Sequence, residues 1–148
     1  MELRQAILGK RVYIDTNILI YLFEGFEEYL PLLQELAQCV DNNDITLLTG
    51  EVTLAEILVM PFKKDDTGAI NLYTKALNDR KFIELVPTTQ KVYIKTAFLR
   101  ATLSSMKTPD SIHVASAMVG KADIFITNDQ GIKTPKGIEK LLLSDFKY

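Results

Sequence analysis

Short, wholly apolar runs that alternate with helical segments are the feature that most constrains the fold of this chain. Val12-Tyr13-Ile14 and Ile124-Phe125-Ile126 are two such runs, and neither alternates between apolar and polar residues. Strands buried on both faces of a parallel sheet have this uninterrupted apolar character. The stretches between them carry apolar residues at helical spacing, as at Leu32, Leu36 and Val40. The pattern therefore predicts an α/β fold with a parallel sheet covered by helices on both faces.

The expected elements follow from this alternation and from local stop signals. Strands are predicted at residues 11–15, 45–49, 82–86 and 123–127, with a fifth at 139–143. Helices are predicted at residues 17–24, 27–40, 52–60, 67–78, 92–104 and 109–119. Pro61 is expected to end the third of these helices and Gly120 the last. The expected architecture is a single domain over residues 1–148, a three-layer α/β/α arrangement with a central, mostly parallel sheet of four or five strands.

Length, charge and cysteine content exclude several classes of protein. The 148 residues are enough for one domain with a substantial core. A formal net charge of −2 gives no support to a general binder of polyanions, so contact with nucleic acid requires a local patch or a bound cation. The single cysteine, Cys39, excludes an internal disulfide and a cysteine-rich zinc site. Without an apolar segment typical of a signal peptide or a membrane span, we expect a cytoplasmic protein with no membrane partner.

Four acidic residues lie close to predicted strand ends or helix starts: Asp15, Glu56, Asp110 and Asp129. Asp15 and Asp129 follow the ends of predicted strands. Asp110 lies in the first turn of the helix that leads into the fourth strand, and Glu56 lies early in the helix after the second strand. In a parallel α/β unit, strand carboxyl ends and the amino ends of the connecting helices lie at the same edge of the sheet, where open sheets bind ligands. The topology therefore predicts that the four acids converge.

Taken one at a time, three of these acids have ordinary structural explanations. Asp15 suits a turn or a cap before the following helix. Asp110 suits a helix start, because Thr108 is a good N-cap residue and an acid in the first turn interacts favourably with the helix dipole. Asp129 lies in a turn-forming string, Thr-Asn-Asp-Gln-Gly. Only their expected convergence favours a shared functional role.

Glu56 is the least easily explained of the four acids. Its neighbours three and four positions away along the predicted helix include no basic residue. A buried, unpaired carboxylate costs several kcal/mol or gives up its charge. A capping box from Thr53 to Glu56 is the structural alternative, but the helical pattern begins closer to Thr49. We therefore expect a buried carboxylate with a functional role.

A divalent cation is the ligand that four converging carboxylates would select. Clustered carboxylates repel one another unless a cation neutralises them. An all-oxygen site favours Mg²⁺, with Mn²⁺ able to substitute, over zinc or copper, and the sequence leaves open whether one or two ions bind. His113 follows Asp110 by three residues and can reach the edge of such a site. A lone histidine among apolar helix residues is, however, more often packed in the core.

At these residues the chain resembles a PIN-domain ribonuclease, and within that family the VapC-type toxins of prokaryotic toxin–antitoxin pairs. The resemblance covers nearly the whole chain. It depends on four strings: Tyr13-Ile14-Asp15-Thr16-Asn17-Ile18-Leu19-Ile20, Thr53-Leu54-Ala55-Glu56-Ile57-Leu58, Thr108-Pro109-Asp110-Ser111-Ile112-His113-Val114-Ala115-Ser116-Ala117 and Ala122-Asp123-Ile124-Phe125-Ile126-Thr127-Asn128-Asp129. Each string alone is a weak signal, whereas their order and spacing in a chain of this size are specific. Ser111, where many relatives have alanine, is a small difference.

The resemblance implies which residues form the site. It carries over a catalytic quartet that holds the metal: Asp15, Glu56, Asp110 and Asp129. Asp15 and Asp110 are the expected direct ligands, and the other two acids bind directly or through water. Asn17 and Thr127 match polar positions that orient the site in the family. No acid of the quartet is missing, so the resemblance implies an active enzyme.

The implied reaction is Mg²⁺-dependent endonucleolytic hydrolysis of RNA, with a water activated for in-line attack and a 5′-phosphate on the product. A second ion about 4 Å from the first would stabilise the leaving oxygen. Because the site and the RNA backbone are both anionic, positive charge is needed nearby. Lys107, Lys133 and Lys136 are the candidates for phosphate contacts, although each is also compatible with ordinary solvated surface.

The aromatic residues of segment 20–33 are candidates for a surface that binds a protein partner. Tyr21, Phe23, Phe26 and Tyr29 lie in this segment, and core packing explains most of them. The resemblance also implies that some line a groove for an antitoxin peptide or a dimer partner. The expected partners are therefore RNA, an antitoxin protein of a type II pair and a second copy of the chain.

Three alternatives stay open from the sequence. A non-enzymatic binding module with structural acids would show no strong effect of divalent cations on its melting temperature. An aspartate-nucleophile phosphatase would use Asp15, but its best-known family has a second acid two residues on, where this chain has Asn17. A DNA nuclease of related fold is a closer alternative, because the acids alone do not choose between RNA and DNA.

Overall fold

The computed structural model describes residues 2–103 and 105–146. Within these residues the strands are β1 (Arg11–Ile14), β2 (Thr46–Gly50), β3 (Glu84–Val86), β4 (Ile124–Thr127) and β5 (Glu139–Leu142). The helices are α1 (Leu3–Ile7), α2 (Thr16–Glu24), α3 (Leu30–Asp41), α4 (Val52–Ile57), α5 (Val59–Lys63), α6 (Thr67–Leu77), α7 (Gln90–Thr102) and α8 (Thr108–Val119). Short 3-10 turns occupy Glu27–Tyr29 and Leu143–Phe146.

The strands form one parallel sheet in the order β3-β2-β1-β4-β5. Tyr13 of β1 pairs with Leu48 of β2 on one side and with Phe125 of β4 on the other. Helices connect β1 to β2, β2 to β3 and β3 to β4, as is usual for parallel pairing, whereas residues 128–138 join β4 to β5 without a helix. The predicted α/β class with a central parallel sheet is therefore confirmed, and β5 completes the sheet as its fifth strand.

The two faces of the sheet pack against different helices, which explains the apolar runs. Val12 and Ile14 of β1 belong to a core cluster shared with α1, α2 and α3. Tyr13, between them, belongs to a second cluster shared with α7 and α8, and its ring stacks on Phe125 at a centroid distance of 5.1 Å. Val12, Tyr13 and Ile14 are fully buried. Since each face of the strand meets a helical layer, both faces are occupied by apolar side chains or by a hydrogen-bonded tyrosine.

The structure differs from the predicted elements by one additional helix and at several helix ends. The sequence pattern did not indicate α1, although Leu3 and Ile7 are both buried there. The predicted helix at 27–40 is a 3-10 turn followed by α3, with Pro31 in the first turn. The prediction that Pro61 ends a helix is wrong: the break falls at Leu58, and Pro61 lies in the first turn of α5. Proline is tolerated there because first-turn N–H groups have no intrahelical partner.

Gly120 ends α8 as predicted, but for a different reason. Its φ of −74° is right-handed, and the left-handed residue is Lys121, with φ of 57°. A Cβ atom at position 120 would lie 2.8 Å from Val86 Cγ2 and 3.0 Å from Leu48 Cδ2. Glycine is therefore required by the close approach of the helix end to β2 and β3, and not by the turn itself.

Two further expectations concern helix length. The predicted helix end at Ser104 lies outside the described residues, and α7 is described as far as Thr102. In residues 2–103 and 105–146, none of the helices is both long enough and apolar enough to span a bilayer.

Candidate active site

A cavity of about 190 Å³ opens at the carboxyl edge of the sheet. We call it the acidic cavity, and it is lined by Asp15, Thr16, Asn17, Ile20, Glu56, Asp110, His113, Asp129 and Ile132. The fold thus brings all four predicted acids to one place, from the ends of β1 and β4 and the helices α4 and α8. A larger cavity of about 530 Å³ lies beside β2 and β3, and none of the four acids lines it. The acidic cavity is therefore the candidate active site.

Asp15 is the most buried of the four acids, with 6% of its surface exposed. It is the N-cap of α2, and its Oδ1 accepts a hydrogen bond from the Ile18 N–H at 3.2 Å. Its Oδ2 accepts a short hydrogen bond from the Thr127 hydroxyl. Burial raises the pKa of Asp15 and the charge of Asp110 adds to the rise, although the hydrogen bonds from Thr127 and Ile18 oppose it. Asp15 is therefore both a helix cap and a firmly oriented carboxylate of the cavity.

Asp110 lies in the first turn of α8, where it is half-buried. The helix begins one residue earlier than predicted, with Lys107 as its N-cap. Burial raises the pKa of Asp110, and the charges of Asp129 and Glu56 raise it further. The positive charge of Lys107 opposes this rise without cancelling it. Negative charge at this end of the cavity is thus only partly compensated.

The prediction that Glu56 is a buried carboxylate without a partner is wrong. Its side chain is 36% exposed, and its Oε1 lies 2.6 Å from His113 Nε2. The same oxygen accepts a hydrogen bond from the Thr16 hydroxyl at 2.7 Å. Partial burial raises the pKa of Glu56, but these two hydrogen bonds and the charge interaction with His113 together offset it, so that the pKa is lower than usual. The alternative capping box is not formed, because Thr53 is already helical and its hydroxyl bonds with Thr49.

Asp129 has the turn-forming role that its local sequence indicated, and it also lines the acidic cavity. Its Oδ1 accepts a hydrogen bond from the Gly131 N–H at 2.8 Å. Its own N–H donates to the Thr127 hydroxyl at 3.0 Å, and that hydroxyl donates to Asp15. Thr127, predicted to orient the site, therefore connects the backbone at Asp129 to the carboxylate of Asp15.

His113 contributes more to the cavity than its sequence pattern indicated. It is 3% exposed, which agrees with the expected packed histidine, yet it also lines the acidic cavity. Its Nδ1 lies 2.7 Å from the Tyr13 hydroxyl and its Nε2 contacts Glu56. No local pattern indicates these contacts, since Tyr13, Glu56 and His113 lie on three separate elements. The spacing of three residues from Asp110 was the only indication.

The remaining predicted site residues differ in whether they line the cavity. Asn17 is exposed and lines the cavity. Lys107, Lys133 and Lys136 are exposed and do not line it. The charge of Lys107 nevertheless acts on Asp110. A role for these lysines in contacting phosphates stays a prediction.

The aromatic residues of segment 20–33 form a packed group. Tyr21 stacks on Phe26 and on Tyr29, at centroid distances of 4.8 and 5.7 Å. Phe23 stacks on Tyr73 at 5.0 Å. Tyr29 is buried, whereas Phe26 is 40% exposed. Core packing therefore accounts for most of these side chains, and Phe26 retains accessible aromatic surface.

The chemistry of the lining side chains fits a hard divalent cation. Carboxylates are the ligands that Mg²⁺ and Mn²⁺ prefer. Burial, with a smaller effect of neighbouring acids, raises the pKa values of Asp15 and Asp110, and a bound cation would stabilise their charged forms. In the described part of the chain, no group of three or more His, Cys, Asp or Glu side chains is arranged to hold an ion. Mg²⁺ commonly takes only one or two carboxylates and completes its shell with water and substrate phosphates. The residues thus fit an open site with few protein ligands, and not a closed cage of four.

Comparison with known families identifies the class of protein. A model of the PIN domain family matches residues 12–137, a range that includes β1 from its second residue, β2 to β4 and every residue lining the acidic cavity. The chain therefore belongs to the PIN domain family, which includes the nuclease toxins of VapBC systems. No curated protein matches the sequence.

Solved structures give a consistent comparison. A chain of a toxin–antitoxin complex from Klebsiella pneumoniae superposes with a TM-score of 0.62 at 21% identity, covering 86% of this chain and 94% of that one. A chain of VapBC2 from Rickettsia felis, bound to a DNA fragment from its promoter, gives 0.64 at 19% identity, covering 88% and 98%. DNA-bound VapBC from Salmonella typhimurium gives 0.61 at 16% identity, covering 90% and 98%. At these identities the likeness establishes a shared fold.

Proposed function

We propose that this chain is a Mg²⁺-dependent endoribonuclease, a single PIN-like domain that cleaves RNA phosphodiester bonds. The observation that carries the proposal is the convergence of four carboxylates from separate segments on one cavity at the carboxyl edge of the sheet. Membership of the PIN domain family supports it, because PIN nucleases generally use divalent metal ions. The acidic cavity is thus assigned as the place where the phosphodiester is cleaved.

Asp15 and Asp110 are the residues assigned to hold the ion directly, with Glu56 and Asp129 acting directly or through water. When bound, a divalent cation supplies Lewis acidity and increases the acidity of water at the site. The Asp15 carboxylate is held by Thr127 and by the Ile18 N–H, so it needs little reorganisation to act as a ligand. The exposed side chains of Lys107, Lys133 and Lys136 are assigned to supply positive charge toward an RNA backbone.

We further propose that the protein is the toxin of a type II toxin–antitoxin pair and acts in the cytoplasm. The likeness to toxin–antitoxin complexes from three bacteria supports an antitoxin partner. Phe26 and the exposed apolar residues of α5, among them Met60 and Phe62, offer surface for such a partner or for a second copy of the chain. Measurement of mass in solution tests the homodimer, and a monomer at high protein concentration argues against it.

Metal-dependent cleavage of RNA and DNA, measured side by side, tests the activity. The purified chain is expected to cleave single-stranded RNA with Mg²⁺ or Mn²⁺ and to lose this activity when EDTA is added. Asp110→Asn is expected to abolish the cleavage. Asp123→Asn is the matched control, since Asp123 caps the opposite edge of the sheet through the Arg11 N–H.

The possible results separate the candidate functions. Cleavage of DNA with no cleavage of RNA would identify a DNA nuclease. Cleavage that survives EDTA or persists in Asp110→Asn would exclude the assigned site. Absence of any effect of divalent cations on activity and on melting temperature would favour a binding module with structural acids.

A further inference from the structure

A chain of hydrogen bonds extends from the core of the protein to the acidic cavity. Tyr13, fully buried in β1, contacts His113 Nδ1 through its hydroxyl at 2.7 Å. The opposite nitrogen of the same ring, Nε2, lies 2.6 Å from Glu56 Oε1. This path joins the central strand of the sheet to a carboxylate of the candidate site, and neither Tyr13 nor His113 was assigned a part in the proposed reaction.

The surrounding contacts fix the direction of these hydrogen bonds. The Glu56 carboxylate only accepts hydrogen bonds, so His113 Nε2 carries a proton and donates it at 2.6 Å. In the neutral ring Nδ1 then carries no proton and accepts from the Tyr13 hydroxyl, whose oxygen also accepts from the Gly50 N–H at 2.9 Å. A doubly protonated ring also donates from Nε2. Glu56 therefore receives a hydrogen bond from His113 in either protonation state.

The packing around Tyr13 makes it a rigid anchor for His113. Its ring stacks on Phe125 and meets the His113 ring edge-on, at centroid distances of 5.1 and 5.9 Å. A Cβ atom at position 50 would lie 2.8 Å from the Tyr13 hydroxyl oxygen, so glycine is required for this hydroxyl to sit where it does. The imidazole is thus held between a fixed hydroxyl on one side and a partly exposed carboxylate on the other.

We propose that His113, anchored by Tyr13, is a positioning residue that holds Glu56 through Oε1 and leaves Oε2 to face the acidic cavity. Glu56 is on the short helix α4, and its side chain is 36% exposed, so packing alone does not fix its rotamer. Together with the Thr16 hydroxyl, the His113 donor fixes one carboxylate oxygen and thereby orients the other. This inference depends on the proposed function, because the reaction oriented by Glu56 is metal-dependent cleavage of RNA.

Two substitutions of His113 that retain different nitrogens test the role. Glutamine places its amide nitrogen near the position of Nε2 and retains a donor to Glu56, whereas asparagine places its amide near Nδ1 and loses that donor. His113→Asn is expected to lower kcat about tenfold to a hundredfold, the usual effect of removing a group that orients a metal ligand, with KM for RNA little changed. His113→Gln is expected to recover most of this loss. Leu99→Ala, a buried change in α7 away from the cavity, controls for lower stability alone and is expected to keep kcat.

A second readout requires no catalysis. His113 is the only histidine of the chain, so its imidazole ¹H and ¹⁵N signals are assigned without ambiguity. In the metal-free wild type we expect an Nε2–H proton that exchanges slowly with water and shifts in the Glu56→Gln variant. Tyr13→Phe is expected to shift the Nδ1 signal, because that nitrogen loses its donor.

The outcomes distinguish this inference from the proposed function. Equal kcat in His113→Asn and wild type, or no recovery by His113→Gln, overturns the positioning role and leaves the nuclease proposal standing. A wild-type protein without metal-dependent RNA cleavage overturns the nuclease proposal and the role with it, before any substitution is made. An Nε2–H signal that is absent, or indifferent to Glu56→Gln, overturns the hydrogen bond itself. Should both His113 variants fail to fold, the wild-type spectra compared with those of Glu56→Gln and Tyr13→Phe still decide.

Discussion

Charged side chains are compensated at the amino edge of the sheet and only partly compensated at its carboxyl edge. At the amino edge, Arg11 begins β1, and its guanidinium contacts both Glu84 at the start of β3 and the Gly120 carbonyl after α8. Nearby, Arg4 of α1 pairs with Asp44 at 2.9 Å. Arg4 and Arg11 therefore each face an acid, Arg11 also faces a helix-end carbonyl, and their charges are compensated locally.

At the carboxyl edge the acids are brought together with incomplete compensation. Burial and neighbouring acids raise the pKa values of Asp15 and Asp110, so ionising these two groups is unfavourable in the metal-free protein. Glu56, with its hydrogen bonds from His113 and Thr16, is the exception. The compensated charges at the amino edge therefore stabilise the fold. The partly compensated acids at the carboxyl edge destabilise the metal-free protein and form a site that a bound cation would stabilise.

Asp15→Asn is the change with the largest expected effect on this contrast. We expect Mg²⁺-dependent cleavage to fall by more than about a hundredfold, because groups that only orient metal ligands already account for roughly tenfold to a hundredfold. The metal-free protein should at the same time melt at a higher temperature, since an unfavourable buried charge is removed. Asp44→Asn, at the amino edge, should retain activity and melt slightly lower. Retained activity in Asp15→Asn, or a lower melting temperature than wild type, would contradict the contrast.

Gly120→Ala tests whether the amino edge depends on close packing as well as on charge. The added Cβ would lie 2.8 Å from Val86 Cγ2, so β2, β3 or α8 must shift. We expect a loss of about 1–3 kcal/mol in the free energy of unfolding, measured by urea denaturation. Gly68→Ala in α6 is the matched control, because its nearest contact is Asp66 Oδ1 at 3.5 Å, and it should be neutral or slightly stabilising. Equal changes in the free energy of unfolding for Gly120→Ala and Gly68→Ala would show that the residues around Gly120 move to accept the added Cβ without cost.

The fold was largely predictable because its strongest signals are short-range. An uninterrupted apolar run such as Val12-Tyr13-Ile14 indicates a strand buried on both faces, and hence a parallel sheet between two helical layers. The structure shows these three residues fully buried. Helix ends were less predictable, because they depend on contacts with distant residues. Pro61 is a helix-stop signal in the sequence, yet proline is acceptable in a first turn, which is where the structure places it. Gly120 is required by Val86 and Leu48, which lie far away in sequence.

The positions of the acids were predictable from topology, but their surroundings were not. The ends of β1 and β4 and the starts of α4 and α8 must lie at one edge of a parallel sheet, whatever the side chains are. Glu56 lies one turn further on, near the end of the short helix α4, and still lines the cavity. The environment of Glu56 depends on His113, which approaches from another helix, and no pattern along α4 indicates it. The backbone topology therefore determines that the four acids converge. The hydrogen-bond partners of each acid depend on side chains from other elements, which meet only in the folded state.

The pH dependence of stability should differ in sign between Asp110 and Glu56. The folded-state pKa of Asp110 lies above its ordinary value of 3.8, so stability is lost as pH rises from about 3.8 through the raised pKa. The pKa of Glu56 lies below its ordinary value of 4.5, so its contribution is present above 4.5 and lost as pH falls through the lowered pKa. Urea unfolding of metal-free Asp110→Asn and Glu56→Gln, from about pH 3 to about pH 7, should therefore show opposite changes in slope. Changes of the same sign in both variants would contradict this assignment.

The smallest expected effect is that of Glu84→Gln at the amino edge. Both partners of the Arg11–Glu84 pair are well exposed, with 36% and 49% of their side chains accessible, so water screens the interaction. We expect a loss of at most about 1 kcal/mol in the free energy of unfolding, and a smaller loss at high salt. Because Arg11 also donates to the Gly120 carbonyl, Arg11→Met should cost more than Glu84→Gln. Cleavage activity should be unchanged in both variants. A loss at Glu84→Gln that equals that of Gly120→Ala and does not depend on salt would mean that the amino edge relies on this ion pair more than on its packing.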